Sequence, residues 1–336
     1  MMTPWTDRRR RPLEDLRISV IDKCNFRCRY CMPEEAFRHH QFLKRDELLS
    51  FDEIERFVRI VAPHGVRKIR LTGGEPLLRP NLDELIRRLR TVTTIETIGL
   101  TTNGVYLERM AKVLKQAGLD RVNVSFDALS PETFGMMNGR GTSPEAVLRG
   151  IDEAKRQGLE VKVNMVVRKG WNDHEVAPMA AYFKERNITL RYIEFMDVGT
   201  ANEWNVEHVV SSESILEVLK QRNGLLEPLA PESLGEVAQR YRYTDGAQVG
   251  FISSVSQPFC GTCTRGRLSS DGKWYTCLFA EDGTDIRELL RSGASDDLIA
   301  MTLKMVWEVR DDRYSEERTR TGNRTRNRIE MSYIGG

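Results

Sequence analysis

The chain has 336 residues, 30% of them charged, and its 51 basic and 49 acidic side chains leave a net charge of +2. That balance creates no global field for nucleic acid or a membrane surface, and no run of about 18 apolar residues is present to span a bilayer. The length suggests roughly two domains, and the four arginines at 8–11 precede no apolar stretch, so they do not read as a secretory signal.

In chain order, strand-like runs recur at RISVID, KIRLTG, TIGLTT, RVNVSF, EVKVNMVV and RYIEFMDV. Helix-length amphipathic stretches lie between them at 51–63, 81–89, 106–117, 144–157 and 174–186. Ser50 with Glu53 has the pattern of a capping box, and Gly65, Gly118 and Gly158 stand where helix ends need a left-handed residue. Six such units predict an α/β fold, an incomplete (βα)6 TIM-like barrel with right-handed crossovers. Six strands fall short of the eight of a closed barrel, so the remaining chain is expected to cover the gap. Residues 199–250 read as connection and cover, with one helix near 212–221. The expected division is a core over 8–226 and a C-terminal region over 227–336.

The cysteines form two sets, and a disulfide framework would scatter them; length and the missing secretory signal point to a reducing cytoplasm, and metal ligation is the better account. Cys24, Cys28 and Cys31 follow the first strand at C-x3-C-x2-C spacing. Three thiolates can hold three irons of a 4Fe–4S cube and leave the fourth iron open. A structural zinc site would need a fourth ligand. His39 and His40 are the nearest and lie outside the usual spacing. Three buried structural cysteines are the blander alternative.

After the second strand comes Gly73-Gly74-Glu75-Pro76, either a tight turn or a backbone that approaches a ligand closely. Later strands end in Thr101-Thr102-Asn103-Gly104, Ser125-Phe126-Asp127 and Glu194-Phe195-Met196, and the fifth carries Lys162 and Asn164. Each alone reads as a cap, turn or packing residue. Together they place polar or small groups on the face where barrel sites are built.

Cys260, Cys263 and Cys277 again lack a local fourth ligand. Arg265 and Arg267 beside them suit an anion, or else a solvated turn. Met331, Tyr333 and Ile334 could anchor a Gly335-Gly336 terminus small enough to enter a narrow channel. Most chain ends instead fray.

These motifs, with LTTNG, IEFMDVG, RDDRYS and YIGG, resemble the GTP 3′,8-cyclase (MoaA) family of the radical S-adenosylmethionine (SAM) superfamily, from about residue 13 to Gly336. The resemblance implies two 4Fe–4S clusters, on Cys24, Cys28 and Cys31 and on Cys260, Cys263 and Cys277. It implies SAM contacts at Tyr30, Gly74, Ser125 and Met196. GTP contacts are implied at Arg17, Arg70, Thr101, Lys162, Arg265, Gly266 and Arg267, with Lys68 and Arg191 as further candidates. Arg17, Arg265, Arg267, Gly335 and Gly336 are implied in catalysis. In this family's reaction an electron cleaves SAM to methionine and a 5′-deoxyadenosyl radical, which takes the 3′ hydrogen of GTP. The carbon radical then closes on guanine C8, giving (8S)-3′,8-cyclo-7,8-dihydroguanosine 5′-triphosphate for molybdenum cofactor biosynthesis. Implied partners are a flavodoxin- or ferredoxin-type electron donor, cyclic pyranopterin monophosphate synthase and a second copy of the chain.

Three other readings compete, one of them a pure scaffold, for which two open-iron sites make no sense. A peptide-modifying radical SAM enzyme would carry more C-terminal cysteines. A non-catalytic protein could bind RNA through Arg318, Arg320, Arg324, Arg326 and Arg328. That run has little aromatic interleaving, so it reads better as a solvated or triphosphate-facing segment.

Overall fold

The computed structural model describes residues 3–321 and 328–335. The β-branched runs become six parallel strands in sequence order: β1 (Asp15–Ser19), β2 (Lys68–Thr72), β3 (Thr97–Thr102), β4 (Arg121–Ser125), β5 (Glu160–Val167) and β6 (Thr189–Glu194). Alternate residues such as Ile18, Ile69, Leu71, Ile98, Leu100, Val122 and Val124 are fully buried in the apolar core. The helices Phe51–Val61, Leu82–Arg90, Leu107–Gln116, Glu145–Arg156 and Val176–Glu185 fall within two residues of their predicted spans. The capping box forms: Glu53 N donates to Ser50 Oγ at 3.1 Å and Ser50 N to Glu53 Oε2 at 2.6 Å. A helix not read from sequence, Pro131–Asn138, is capped by Ser130. Among the described residues no helix is long and apolar enough to cross a membrane.

The C-terminal chain adds β7 (Leu226–Pro228), β8 (Gln239–Tyr243), β9 (Gln248–Ile252), β10 (Arg265–Leu268), β11 (Lys273–Tyr275) and β12 (Thr284–Asp285). It does more than cover the gap. Strand β9 pairs parallel with β6 and β10 pairs parallel with β1, extending both edges of the wall within one 12-stranded sheet. Both edges of the six-strand core thereby satisfy backbone groups that would otherwise stand unpaired.

Register now decides what faces inward. Arg17 lies opposite Arg267 on β10 and Arg70 on β2; Arg70 lies opposite Gly99, and Gly99 opposite Arg121. With a side-chain period of two, four arginines and one glycine make a row along the inner wall. A Cβ at Gly99 would stand 3.1 Å from Arg121 Nε, so the glycine makes room for its neighbour.

Gly266, between the two β10 arginines, is turned the other way. A Cβ there would meet the buried Trp274 ring at 2.1 Å and Leu13 at 2.9 Å, so the missing side chain meets a packing requirement of the core side and leaves only the backbone of Gly266 for the expected GTP contact. Gly266→Ala is expected to destabilise the fold by about 1–3 kcal/mol through overpacking, read as a lower denaturation midpoint. An unchanged midpoint would show that the ring yields freely.

Candidate active site

The loop after β1 carries Cys24, Cys28 and Cys31, and the glycines after β2 determine its path. Gly74 N donates to Ile21 O and Glu75 N to Lys23 O, both at 2.8 Å. A Cβ on Gly73 would fall 2.1 Å from Ile21 O, and one on Gly74 would fall 2.2 Å from Lys23 O. The GGEP run is thus a turn and a close approach at once, here to the cysteine loop. The buried Glu75 carboxylate accepts from Thr102 Oγ1 and Asn103 N at 2.7 Å and from Leu77 N at 3.0 Å. Burial still raises it to about 7 against those bonds. Tyr30 donates its hydroxyl to Asp127 at 2.8 Å, fixing the loop to the end of β4.

All three thiols are free. Burial, then Glu75, pushes Cys24 up to about 11, and burial followed by Cys24 pushes Cys31 up to about 12. Cys28 is raised by burial, then by Asp127 and the other two thiols, so the three sulfurs lie within electrostatic reach of one another. Such thiols stay protonated until a metal displaces the proton. Among the described residues no three His, Cys, Asp or Glu groups converge tightly enough to hold a single ion. A cube spreads its thiolates over separate irons, and three free, mutually close thiols fit that demand. His40, considered above as a zinc ligand, packs against the rings of Phe37 and Phe42 at 5.0 and 4.9 Å.

The second cysteine set is held by residues from both ends of the chain. Arg11 Nη1 donates to Cys260 O at 2.7 Å and Asp312 O at 2.9 Å, and its Nε meets Asp7 at 2.6 Å. Arg310 Nη1 donates to Cys263 O at 2.9 Å. Thr276, beside Cys277, donates to Asp312 at 2.6 Å. Burial alone would raise Cys263, yet Arg265 and Arg310 bring it down to about 6; burial, then Asp312, takes Cys277 to about 12. Arginines in the 8–11 run and in RDDRYS therefore shape the site, although sequence reasoning gave them no role. Their only signal was that RDDRYS is among the motifs that carry the family resemblance.

Cys260, Cys263 and Cys277 line one cavity with Arg17, Arg70, Thr101, Met196, Arg265 and Arg267. A second cavity, at the opening strand residues Asp15, Lys68, Arg121, Glu160 and Thr189, also holds Lys162. Arg17, Arg70, Arg191 and Arg265 line both, so the space runs through the barrel. Nε of Arg17, Arg70 and Arg121 and Oγ1 of Thr101 are buried with no protein partner. Burial, then Arg267 and Arg70, drives Arg17 well below the ordinary arginine value; burial, then Arg70 and Arg121, takes Arg191 to about 9. Unpaired buried guanidiniums of one sign demand an anion. Lys162 is paired with Glu160 at 2.7 Å, and Arg191 with Asn164 and Asn123 at 2.9 and 2.7 Å. Ser125 closes β4 and Met196 follows β6, both at the rim where the Cys24 loop begins.

The C-terminal segment returns to this rim. Arg267 donates to Gly335 O, and a Cβ on Gly335 would meet Thr72 at 2.1 Å. Tyr333 donates to Asp271, and Ile334 is buried. Gly336 lies outside the described residues. Arg318 and Arg328 are not a solvated or phosphate-facing run: both pair with Asp197, at 2.9 and 3.0 Å. Arg324 and Arg326, and the side chain of Arg320, lie outside the described set.

Residues 18–183 match the family model described as Radical SAM superfamily, and residues 188–316 match Molybdenum Cofactor Synthesis C. GTP 3′,8-cyclases of Staphylococcus saprophyticus, Staphylococcus carnosus and Staphylococcus aureus are each 50% identical over 341 residues, covering 100% of this chain and of each relative. Among solved structures, Streptococcus suis SuiB bound to precursor peptide SuiA superposes with TM-score 0.61 at 15% identity, over 91% of this chain and 66% of that one. SuiB bound to S-adenosylmethionine gives 0.60 at 15% identity, over 87% and 68%. These structures share the fold alone. Full-length identity at this level places the chain in the GTP 3′,8-cyclase family of the radical SAM superfamily.

Proposed function

We propose that this chain closes GTP to (8S)-3′,8-cyclo-7,8-dihydroguanosine 5′-triphosphate, using SAM and two 4Fe–4S clusters on the two cysteine sets. One observation carries the reading: two adjoining cavities that share Arg17, Arg70, Arg191 and Arg265 lead from three free cysteines, past unpartnered guanidinium nitrogens, to the lysines at the floor of the barrel. The clusters and SAM, when bound, supply the electron, the open iron positions and the radical chemistry. The remaining work belongs to the protein's own residues.

Arg17, Arg70 and Arg265, with Lys162 and Lys68 toward the floor, neutralise the triphosphate. Its roughly four negative charges could not otherwise enter a buried site. Thr101 Oγ1, buried without a partner, donates a further hydrogen bond. The guanine end is thereby directed to Cys260, Cys263 and Cys277, and the ribose to the rim carrying Tyr30, Gly74, Ser125 and Met196. Holding ribose and SAM in one enclosed space supplies the proximity on which hydrogen transfer depends. Arg267 orients the tail through Gly335 O. Residues 8–226 form the SAM-handling core and 227–336 the GTP-orienting part. Family membership also supports a flavodoxin- or ferredoxin-type electron donor, a homodimer and transfer of product to cyclic pyranopterin monophosphate synthase.

Changing Cys260, Cys263 and Cys277 together to Ala is expected to spare SAM cleavage and remove cyclised product in an anaerobic assay with GTP and dithionite. Normal cyclisation would make the second set structural.

Arg17→Ala is expected to weaken GTP binding by ~1.5–3 kcal/mol, roughly ten- to over a hundredfold, through loss of a charge-assisted contact. Because Arg267 and Arg70 repel Arg17, the same change is expected to leave the ligand-free melting temperature equal or higher, unlike most core truncations. Melting curves with and without GTP check both signs, and wild-type GTP affinity would remove Arg17 from the site.

Gly335→Ala places a methyl against Thr72 and is expected to keep both clusters, by iron analysis and absorbance, while abolishing cyclisation. Wild-type product formation would make the tail a simple terminus.

A further inference from the structure

The contacts to Cys263 include one that backbone support does not require. Arg310 is buried, and its Nη2 lies 3.2 Å from Cys263 Sγ. Its Nη1 serves Cys263 O at 2.9 Å and Asp7 at 3.1 Å, and its Nε faces Asp312 at 3.3 Å. The guanidinium lies 4.6 Å from the Trp307 ring centroid, which helps hold its plane. Asp7 is already met by Arg11 at 2.6 Å, so the ion pair alone does not call for a second arginine. The first cysteine loop is built differently. There Cys24 Sγ accepts the Phe26 amide at 3.4 Å and has Asn103 Nδ2 at 3.9 Å, while the nearby Arg27 donates to Cys24 O at 2.9 Å.

We propose that Arg310 is a positioning residue that raises the reduction potential of the second cluster by donating a charge-assisted hydrogen bond to the Sγ of Cys263. The inference rests on the reading of Cys260, Cys263 and Cys277 as cluster ligands. A reduced cube carries one more negative charge than an oxidised one. A cationic donor at a ligand sulfur draws charge off the core and so favours the reduced state. The fork geometry matters here: one arm holds the cysteine backbone in place while the other addresses the sulfur.

The test uses the full chain, reconstituted anaerobically, as wild type, Arg310→Lys and Arg310→Gln, with iron analysis and EPR-monitored redox titration. Lysine keeps a charge beside Asp7 but cannot grip carbonyl and sulfur together; glutamine loses the charge. With about eight irons bound, the second cluster's midpoint is expected to fall in both variants, further in Arg310→Gln, while the first cluster's stays fixed. An unchanged second midpoint at full iron content overturns the role of Arg310 and leaves the cluster assignment standing. About four irons in the wild type overturns the assignment itself, and the inference with it. Should the variants fail to fold, pulsed EPR on wild-type protein with 15N-guanidino arginine decides. A nitrogen coupling to the reduced second cluster that persists in labelled Arg265→Lys protein supports the hydrogen bond, and its absence overturns it.

Discussion

The inner wall of this barrel concentrates positive charge that the protein does not neutralise. Arg267, Arg17, Arg70 and Arg121 stand in one row across five strands because strand register puts them there, with Gly99 leaving space between the last two. Two acids adjoin that row: Glu160, opposite Arg121 on β5, and Asp15. Burial would raise the Asp15 carboxyl, but Arg70, Arg17 and Arg265 hold it below the usual range. Glu160 is already paired with Lys162, so these two carboxylates cannot balance so many buried and half-buried guanidiniums. The fold therefore carries stored repulsion that a polyanion relieves, and a nucleoside triphosphate has the charge and length to do so.

That constraint also explains why the C-terminal region is woven into the sheet. Arg265 and Arg267 reach the row only because β10 lies parallel to β1 in a register that sets Arg267 against Arg17. The same region brings Cys260, Cys263 and Cys277 to the cavity, where Arg11 and Asp7 from one end of the chain meet Arg310 and Asp312 from the other. Substrate site, second cysteine set and both chain ends thus depend on one another. Disturbing any of them should be felt by the others.

Much of this was legible in the sequence. Parallel strands were visible as β-branched runs spaced by capped amphipathic helices, and both cysteine sets by spacing that no single-ion site explains. Thr101 stood out at a strand end, whereas Arg17 and Arg70 were named by family resemblance alone. Long-range partnership was not legible. Nothing local distinguishes Arg11 in a basic run from a solvated arginine, and Asp7 and Arg310 become partners only when positions 303 residues apart meet. The inward or outward sense of a glycine was hidden for the same reason: the packing demand on Gly266 shows only once Trp274 is seen against it. The Asp197 contacts of Arg318 and Arg328 likewise needed the fold, since composition alone favours solvent for such residues.

In the proposed function the arginine-lined channel presents the ribose of GTP to SAM. Isotope transfer tests it most directly. GTP deuterated at the 3′ carbon is incubated anaerobically with the reconstituted protein, SAM and dithionite, and the 5′-deoxyadenosine is analysed by mass spectrometry. The expected result is 5′-deoxyadenosine carrying one deuterium, formed alongside cyclised product. Unlabelled 5′-deoxyadenosine formed with GTP bound would contradict it, because the hydrogen would then have come from elsewhere.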